Sequence, residues 1–234
     1  MLGQLVRPVL RALPRRALGA GTAAGLVLAS LPRLLADHPN PWTALLVLRG
    51  AALVFALGLT FLLDDPARHV TAAVPTRRMV RGALRTALVV PLAALWWTAA
   101  LLLIPAQARP PVGAVTLEAA AAAVVALAAS AAAVRLTDEP EPGQRVAIAL
   151  LATSMAAALL LPDNWGLFAT PQDKWWTPGH HHWALVLVGA VAVWAGCGPE
   201  PVRRGWWRPS GFRASPRTGP ATTPTGTSDP SRTS

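Results

Sequence analysis

Six long apolar runs are the feature of this sequence that most limits its fold. A run of about 20 apolar residues is long enough to cross the hydrocarbon core of a bilayer as a helix. The fifth and sixth runs are shorter, and we expect them to recruit flanking residues or to pack inside the protein. Since 53% of the residues are hydrophobic and only 14% are charged, the sequence predicts an all-α polytopic membrane helix bundle of about six transmembrane helices. The runs are Ala17–Leu35, Trp42–Leu63, Thr86–Ile104, Leu117–Leu136, Val146–Leu161 and Trp183–Gly196.

The arginines are distributed unevenly between the segments that flank these runs. If the N-terminus is cytoplasmic, most of them fall on the cytoplasmic side, and the outer connections keep only Arg33, Arg109 and Lys174. Positive charges of short loops collect on the cytoplasmic side of membrane proteins. We therefore expect both termini in the cytoplasm. The abundance of arginine over lysine and the absence of tyrosine indicate a GC-rich bacterial genome, and hence a multi-pass protein of a bacterial inner (plasma) membrane.

The two ends of the chain differ from the apolar middle, residues 17–197. Residues 1–16 alternate arginines with leucine and valine, which is typical of a basic amphipathic segment lying on the lipid surface. Arg15 and Arg16 also resemble a twin-arginine export signal, so residues 17–36 are either a retained helix or a cleaved signal. Residues 198–234 are first basic and then rich in proline, threonine and serine, which predicts a disordered cytoplasmic tail.

The connection 64–85 between the second and third runs is polar but contains helix-start signals. Asp65 precedes Pro66, as a helix N-cap precedes a proline at the first helical position. Pro75 then interrupts this helix, and Thr76 is a second possible N-cap for a helix that continues into the third run. The connection is therefore predicted to be a cytoplasmic loop with a helix, a break and a second helix.

The residues needed for several kinds of chemistry are missing from the sequence. A phosphate-binding loop ends in lysine followed by serine or threonine, but the single lysine, Lys174, lies between Asp173 and Trp175. The run from His180 to His182 has no ligand at metal-site spacing beside it, so we expect a polar loop tip rather than a metal site. No nucleophile is paired with a base inside an apolar run. We therefore expect no enzyme, no cofactor and no metal, and basic residues set beside apolar runs argue against nucleic-acid binding.

Arg49 is the one charge well inside an apolar run. It is either a residue of a substrate or proton path, or an arginine that extends outward or pairs with Asp37. Of these, the sequence favours the second. Residues 118–134 are rich in alanine, which allows close helix packing and predicts an inner helix or the lining of a path.

The second run, the Asp64-Asp65-Pro66 start, the segment from Val74 to Arg78 and the third run with Pro91 together resemble the permease subunits of type-2 ABC exporters. The resemblance covers chiefly residues 1–104. It implies six helices with both ends in the cytoplasm, a homo- or heterodimer of permeases, and a loop after the second helix that contacts a separate ATPase subunit. The residues expected at this contact are Asp64, Asp65, Arg68, Pro75, Thr76, Arg77, Arg78 and Arg81. Alternatively, the loop is only solvated and its arginines only set the topology.

The function predicted from this resemblance is that of a membrane-spanning permease subunit of an ATP-driven transporter. It forms the translocation path, with Arg49 as a candidate path residue, and ATP is bound by the partner ATPase and not by this chain. Since few polar groups line the runs, the expected substrate is amphipathic or apolar. The alternative is a non-transporting membrane accessory or immunity-type protein, and a membrane enzyme comes third.

Overall fold

The computed structural model describes residues 14–35, 40–64, 78–137 and 141–197, and within these ranges every regular element is helical. Six helices are long and apolar enough to cross a membrane. The prediction of an all-α bundle of about six membrane-spanning helices is therefore confirmed, and the chain has the architecture of a multi-pass membrane protein. The helices are α1 (Arg15–Leu35), α2 (Pro41–Leu59), α3 (Arg78–Leu103), α4 (Val112–Leu136), α5 (Gly143–Leu160) and α6 (Trp176–Cys197).

The ends of the six helices define two ends of the bundle. In accordance with the predicted orientation, we call the end with residues 36–40, 104–111 and 161–175 the outer end, and the end with residues 64–77 and 137–142 the inner end. Short 3-10 turns cover Thr60–Leu63, Ala106–Ala108 and Asp163–Trp165. The predicted tail lies outside the described residues, and so does the predicted surface segment apart from residues 14–16.

The two short runs recruit flanking residues, as one of the two expectations for them required. Helix α5 begins at Gly143, before the predicted run, and α6 begins at Trp176, well before Trp183. Helix α3 begins at Arg78, so the helix expected to continue from Thr76 into the third run is present from Arg78 onward.

Helix α2 lies at the centre of the bundle. Asn40 caps it by accepting a hydrogen bond from the backbone N–H of Trp42 at 2.9 Å, and Pro41 occupies the first helical position, where no N–H is needed. One side of α2 packs against α1, where Gly21 and Gly58 allow the two backbones to approach closely. The other side packs against α4.

Helix α3 is joined to α1 and α2 by Trp96. Its ring stacks on Phe55 of α2 with the centroids 4.2 Å apart, and its Nε1 donates to the carbonyl oxygen of Thr22 in α1 at 3.0 Å. A Cβ atom on Gly25 would meet this ring at 2.5 Å, so the absence of a side chain there makes room for the tryptophan.

Helices α5 and α6 expose most of their apolar side chains. Leu159 and Leu160 of α5 are 75% and 79% exposed, and Leu185 and Val188 of α6 are 69% and 66% exposed. Helix α6 packs mainly against α4. Such faces are stable in contact with lipid chains or with another helix.

Candidate functional site

A charged pair joins α2 and α4 toward the outer end of the bundle. Nε of Arg49 lies 2.7 Å from Oε2 of Glu118, and Nη2 lies 2.8 Å from Oε1, so two hydrogen bonds connect the guanidinium to the carboxylate. The two side chains are 15% and 6% exposed. At 1.5 Å per residue, Arg49 lies about 12 Å along α2 from its outer end and Glu118 about 9 Å along α4. Both charges are therefore inside membrane-spanning helices, where an ionised group needs a partner.

The connection from residue 161 to residue 175, which we call the outer loop, folds inward onto this pair. Nη1 of Arg49 donates to the carbonyl oxygen of Phe168, and Nη2 donates to that of Ala169, each at 3.1 Å. A guanidinium offers five N–H groups in one plane, so it can hold a carboxylate and two carbonyls at once. Arg49 therefore links α2, α4 and the outer loop.

Two contacts with α6 hold the outer loop in place. Nε1 of Trp183 donates to the carbonyl oxygen of Leu167 at 3.0 Å. Gly166 has a φ of 63°, a conformation that residues with a Cβ rarely adopt, and its backbone lies directly against that of Gly179. A Cβ on Gly166 would collide with the carbonyl oxygen of Trp175, and a Cβ on Gly179 would collide with that of Gly166, so this close approach requires both glycines.

His180 completes the site from the first turns of α6. Its Nε2 lies 3.2 Å from Oε1 of Glu118, although the ring is not oriented for a directed hydrogen bond. Its Nδ1 lies 2.7 Å from the carbonyl oxygen of Trp176, one turn earlier in the helix, and its ring lies against the Trp176 ring with the centroids 4.3 Å apart. We call Arg49, Glu118 and His180, with the carbonyls of Phe168 and Ala169, the outer cluster.

Of the expectations about Arg49 and the histidines, the one for the histidines was wrong. The three histidines do not form a loop tip, because α6 begins at Trp176 and includes them in its first turns. The guanidinium of Arg49 is bound to Glu118 and to the outer loop, which the sequence did not predict, and the expected pairing with Asp37 is not tested. Asp37 itself lies outside the described residues.

Glu118 is the residue that the sequence analysis missed. It was included in the alanine-rich run without being considered as a partner for Arg49. The available signal was that an acid and a base lie inside two different apolar runs, because opposite charges at membrane depth usually pair with each other.

A second group of polar contacts lies at the inner end. Oδ1 of Asp64, directly after the 3-10 turn that follows α2, accepts a hydrogen bond from the backbone N–H of Gly143 at 2.9 Å. This N–H is the first of α5, where a carboxylate also interacts favourably with the helix dipole. Nη1 of Arg85 in α3 lies 3.4 Å from the carbonyl oxygen of Leu62 and 3.3 Å from that of Asp64.

Ser130 of α4 adds a contact at the same end. It is fully buried, and its Oγ lies 2.9 Å from the carbonyl oxygens of both Thr60 and Ala126, so its single O–H donates to one or the other. We call Asp64, Arg85, Gly143 and Ser130, with the carbonyls they bind, the inner layer. It joins the end of α2 to α3, α4 and α5.

The structure describes only part of the predicted ATPase contact. Asp64 belongs to the inner layer, while Arg78 and Arg81 lie in the first turns of α3, where the backbone alone is described. The other predicted contact residues lie outside the described residues. They are Asp65, Arg68, Pro75, Thr76 and Arg77.

A small cavity lies between the outer loop and the end of α5. Its volume is about 250 Å³, and its lining includes Trp165, Phe168, Trp175 and Asp173. The backbone N–H and then the hydroxyl of Thr170 donate to the Asp173 carboxylate, and they hold its pKa below the ordinary value of 3.8. The carboxylate therefore closes a turn within the outer loop.

Comparison of the chain with protein-family models, with curated proteins and with solved structures finds no match. Among residues 14–35, 40–64, 78–137 and 141–197, no three His, Cys, Asp or Glu side chains are grouped in a way that suits a metal ion. The outer cluster and the inner layer are therefore the features of the chain that bear on its function.

Proposed function

We propose that this chain is the membrane-spanning permease subunit of an ATP-driven exporter of the type-2 ABC class, located in a bacterial inner membrane. Separate ATPase subunits bind and hydrolyse ATP, and the connection 64–85 receives their motion. The inner layer is the observation that supports this proposal, because it determines what a force on that connection would move.

Both ends of the connection are hydrogen-bonded to neighbouring helices. The residue at its start, Asp64, accepts from the first N–H of α5. The helix at its end, α3, reaches back through Arg85 to the carbonyls of Leu62 and Asp64. A displacement of the connection is therefore passed to α2, α3 and α5 together. This is the mechanical property that a coupling loop needs.

In this proposal the outer cluster closes the outer end of the bundle. An exporter has to open toward the outside, and the outer loop is held shut by Arg49 through two carbonyls. In this proposal Arg49 acts as a closing residue, because its guanidinium is occupied by Glu118 and by the loop. A movement of α2 during the change from the inward-open to the outward-open state would draw Arg49 away from the outer loop.

The substrate path is proposed to lie between two copies of the chain. Between its two polar regions the bundle core is apolar and filled by side chains such as Phe55, Ala56 and Leu59. The apolar faces of α5 and α6 are exposed and available for a second copy or for lipid. A path lined by such faces suits an amphipathic or apolar substrate.

The proposal is tested by asking whether an ATPase binds the chain through the connection. The chain is tagged, expressed from its own locus, and purified in mild detergent, and copurifying subunits are identified and assayed for ATP hydrolysis. We expect the wild-type chain to retain an ATPase subunit. The double variant Asp65→Ala/Arg78→Ala should lose it, while the control Arg33→Ala, at the outer end of α1, should keep it. Thermal melting of each purified variant excludes unfolding as the cause of a loss.

Two results would contradict the proposal. The first is a wild-type chain that copurifies with no ATPase and leaves the activity of neighbouring-gene ATPases unchanged in proteoliposomes. The second is labelling of a cysteine at position 78 by a membrane-impermeant reagent added from outside the cell, because the connection has to face the cytoplasm.

A second candidate is a non-transporting membrane accessory or immunity-type protein. The observation that favours it is the outer cluster, in which the guanidinium donates to a carboxylate and to two carbonyls and joins α2, α4 and the outer loop, while His180 of α6 contacts the same carboxylate. A rigid outer surface of this kind suits binding rather than opening. The accessory function predicts that removal of the chain leaves ATP-driven export of all lipophilic compounds unchanged.

A further inference from the structure

The nature of the contact between His180 and Glu118 depends on which ring nitrogens of His180 carry a proton. The carbonyl oxygen of Trp176 can only accept, so Nδ1 of His180, 2.7 Å away, has to carry a proton. A neutral imidazole has one N–H, and Nε2 would then present a lone pair. That lone pair would face Oε1 of Glu118 at 3.2 Å.

The carboxylate cannot relieve this contact by donating. Arg49 donates to both of its oxygens at 2.7 and 2.8 Å, which fixes Glu118 as an ionised acceptor. Without a further proton on His180, its Nε2 and Oε1 of Glu118 would therefore be two acceptors that face each other. The Glu118 side chain is only 6% exposed. Buried polar atoms without a partner are costly, and Nε2 is one of the buried side-chain atoms that lack a directed hydrogen bond in the structure.

We infer that Nε2 of His180 and Oε1 of Glu118 form a proton-binding site at the outer end of the bundle. A proton taken from water onto Nε2 converts the ring to an imidazolium with two N–H donors. The imidazolium then donates to Trp176 through Nδ1 and faces the carboxylate through Nε2. A contact between two acceptors becomes an ion pair, and release of the proton to water restores the neutral ring.

The proton site is linked to the outer loop through shared partners. Glu118 is bound both by His180 and by Arg49, and Arg49 holds the carbonyls of Phe168 and Ala169. Proton binding draws the first turns of α6 toward Glu118, and α6 also holds the loop. We therefore expect the outer loop to be held more tightly when His180 is protonated than when it is neutral.

The other titratable groups near His180 have separate partners. Glu118 on α4 is bound by the guanidinium of Arg49 from α2. His182, on the same helix, places its Nδ1 2.8 Å from the carbonyl oxygen of Trp165. In the outer loop, Asp173 is bound by Thr170. These residues, with exposed His181, define the controls, and the inference does not depend on the proposed transport function.

The first experiment follows the mobility of the outer loop as a function of pH. The single cysteine is removed by Cys197→Ser, and a nitroxide spin label is attached after Gln172→Cys at an exposed loop position. The full chain is placed in phosphatidylglycerol–phosphatidylethanolamine nanodiscs and compared at about pH 5 and about pH 8, a range in which histidine commonly changes charge. We expect the label to be less mobile at the lower pH, and reversibly so.

The variants assign this change to one histidine. In His181→Gln and His182→Gln the pH response should persist, and in His180→Gln and Glu118→Gln it should disappear. A response that survives in His180→Gln, that follows His182 instead, or that is absent in the wild-type sequence would overturn the inference.

A second measurement does not depend on the folding of the His180 and Glu118 variants. Nitrogen NMR of the ¹⁵N-histidine-labelled chain distinguishes the two ring tautomers and the imidazolium, and the chain has only five histidines. The His180 signal is assigned by elimination with His→Gln variants of the other four histidines, which are His38, His69, His181 and His182. We expect Nδ1 to remain protonated throughout and Nε2 to gain a proton on acidification. A neutral ring protonated at Nε2, or a ring that takes up no second proton, would overturn the inference.

Discussion

The outer cluster and the inner layer both join several helices, but they do so with different groups. The outer cluster depends on a buried ion pair between Arg49 and Glu118, and its other members contact one of these two residues. The inner layer uses bonds from side chains to backbone groups, as in the contact of Asp64 with the N–H of Gly143. A buried ion pair is costly to form and costlier to leave half-made, whereas each bond to the backbone contributes separately. We therefore expect the outer cluster to be sensitive to single substitutions and the inner layer to be tolerant.

The largest expected effect comes from Glu118→Gln. The change keeps the size of the side chain but leaves the guanidinium of Arg49 without a counter-ion in a position that is 15% exposed. Loss of one partner of a buried pair typically lowers the free energy of unfolding by about 3 to 5 kcal/mol. Reversible unfolding by sodium dodecyl sulfate in mixed micelles measures this change. The matched control is Glu141→Gln, because Glu141 is exposed in the connection before α5, and it should change stability by less than about 0.5 kcal/mol.

A moderate effect is expected at the inner layer from Gly143→Ala. The added Cβ would lie 2.5 Å from Oδ2 of Asp64 and 2.9 Å from Cδ1 of Phe61, so the contact has to open. Overpacking of this kind costs about 1 to 3 kcal/mol. In the control Gly113→Ala, nothing lies within 4 Å of the new Cβ, and we expect no loss of stability. Equal melting temperatures for the two variants would show that α5 is not held against the end of α2.

A smaller effect is expected from Asp64→Asn. The amide oxygen can still accept from Gly143, but the interaction between the charge and the start of α5 is lost. Such an interaction is worth about 0.3 to 1 kcal/mol and is weakened by salt. The difference in unfolding free energy between wild type and variant should therefore shrink as sodium chloride is raised. A loss as large as that of Glu118→Gln would contradict the contrast between the two regions.

The smallest effect concerns Asp173 in the outer loop. Since its pKa is lowered in the folded chain by the N–H and hydroxyl of Thr170, its ionised form favours the folded turn. The contribution is present above the ordinary value of 3.8 and is lost as the pH falls through the lower folded value. We expect Asp173→Asn to reduce the protection of the Thr170 amide in hydrogen exchange at neutral pH, and to leave the unfolding midpoint nearly unchanged. The Gln172→Asn control, one residue away, should leave the exchange rate of Thr170 unchanged.

The helices could be predicted from the sequence because run length and hydropathy are local properties. The starts of α5 and α6 were harder to predict from the sequence. Gly143 begins α5 where Asp64, far away in the sequence, accepts its N–H. The start of α6 at Trp176 brings polar histidines into the helix, where His180 contacts Glu118 and the carbonyl oxygen of Trp176. Hydropathy alone gives no signal for such contacts.

The outer cluster was only half predicted. Arg49 stood out because it is a charge inside an apolar run, but its partner is 69 residues away in the sequence. Identifying Glu118 as the partner requires knowing that α2 and α4 are neighbours and that Arg49 and Glu118 both face the interface between them. Neither fact follows from the spacing of residues along the chain. At the inner end, Asp64 was predicted as part of a partner contact, and its bond to Gly143 is an additional role that the sequence did not reveal.

The ion pair between Arg49 and Glu118 is tested most directly by a double-mutant cycle. Unfolding free energies are measured in mixed micelles for wild type, Arg49→Gln, Glu118→Gln and the double variant. If the two side chains form the buried pair, the double variant should lose less stability than the two single variants lose in sum. The difference, which is the coupling free energy, should be about 2 kcal/mol or more. Losses that add within about 0.5 kcal/mol would contradict the account, because they would show that the two residues do not interact.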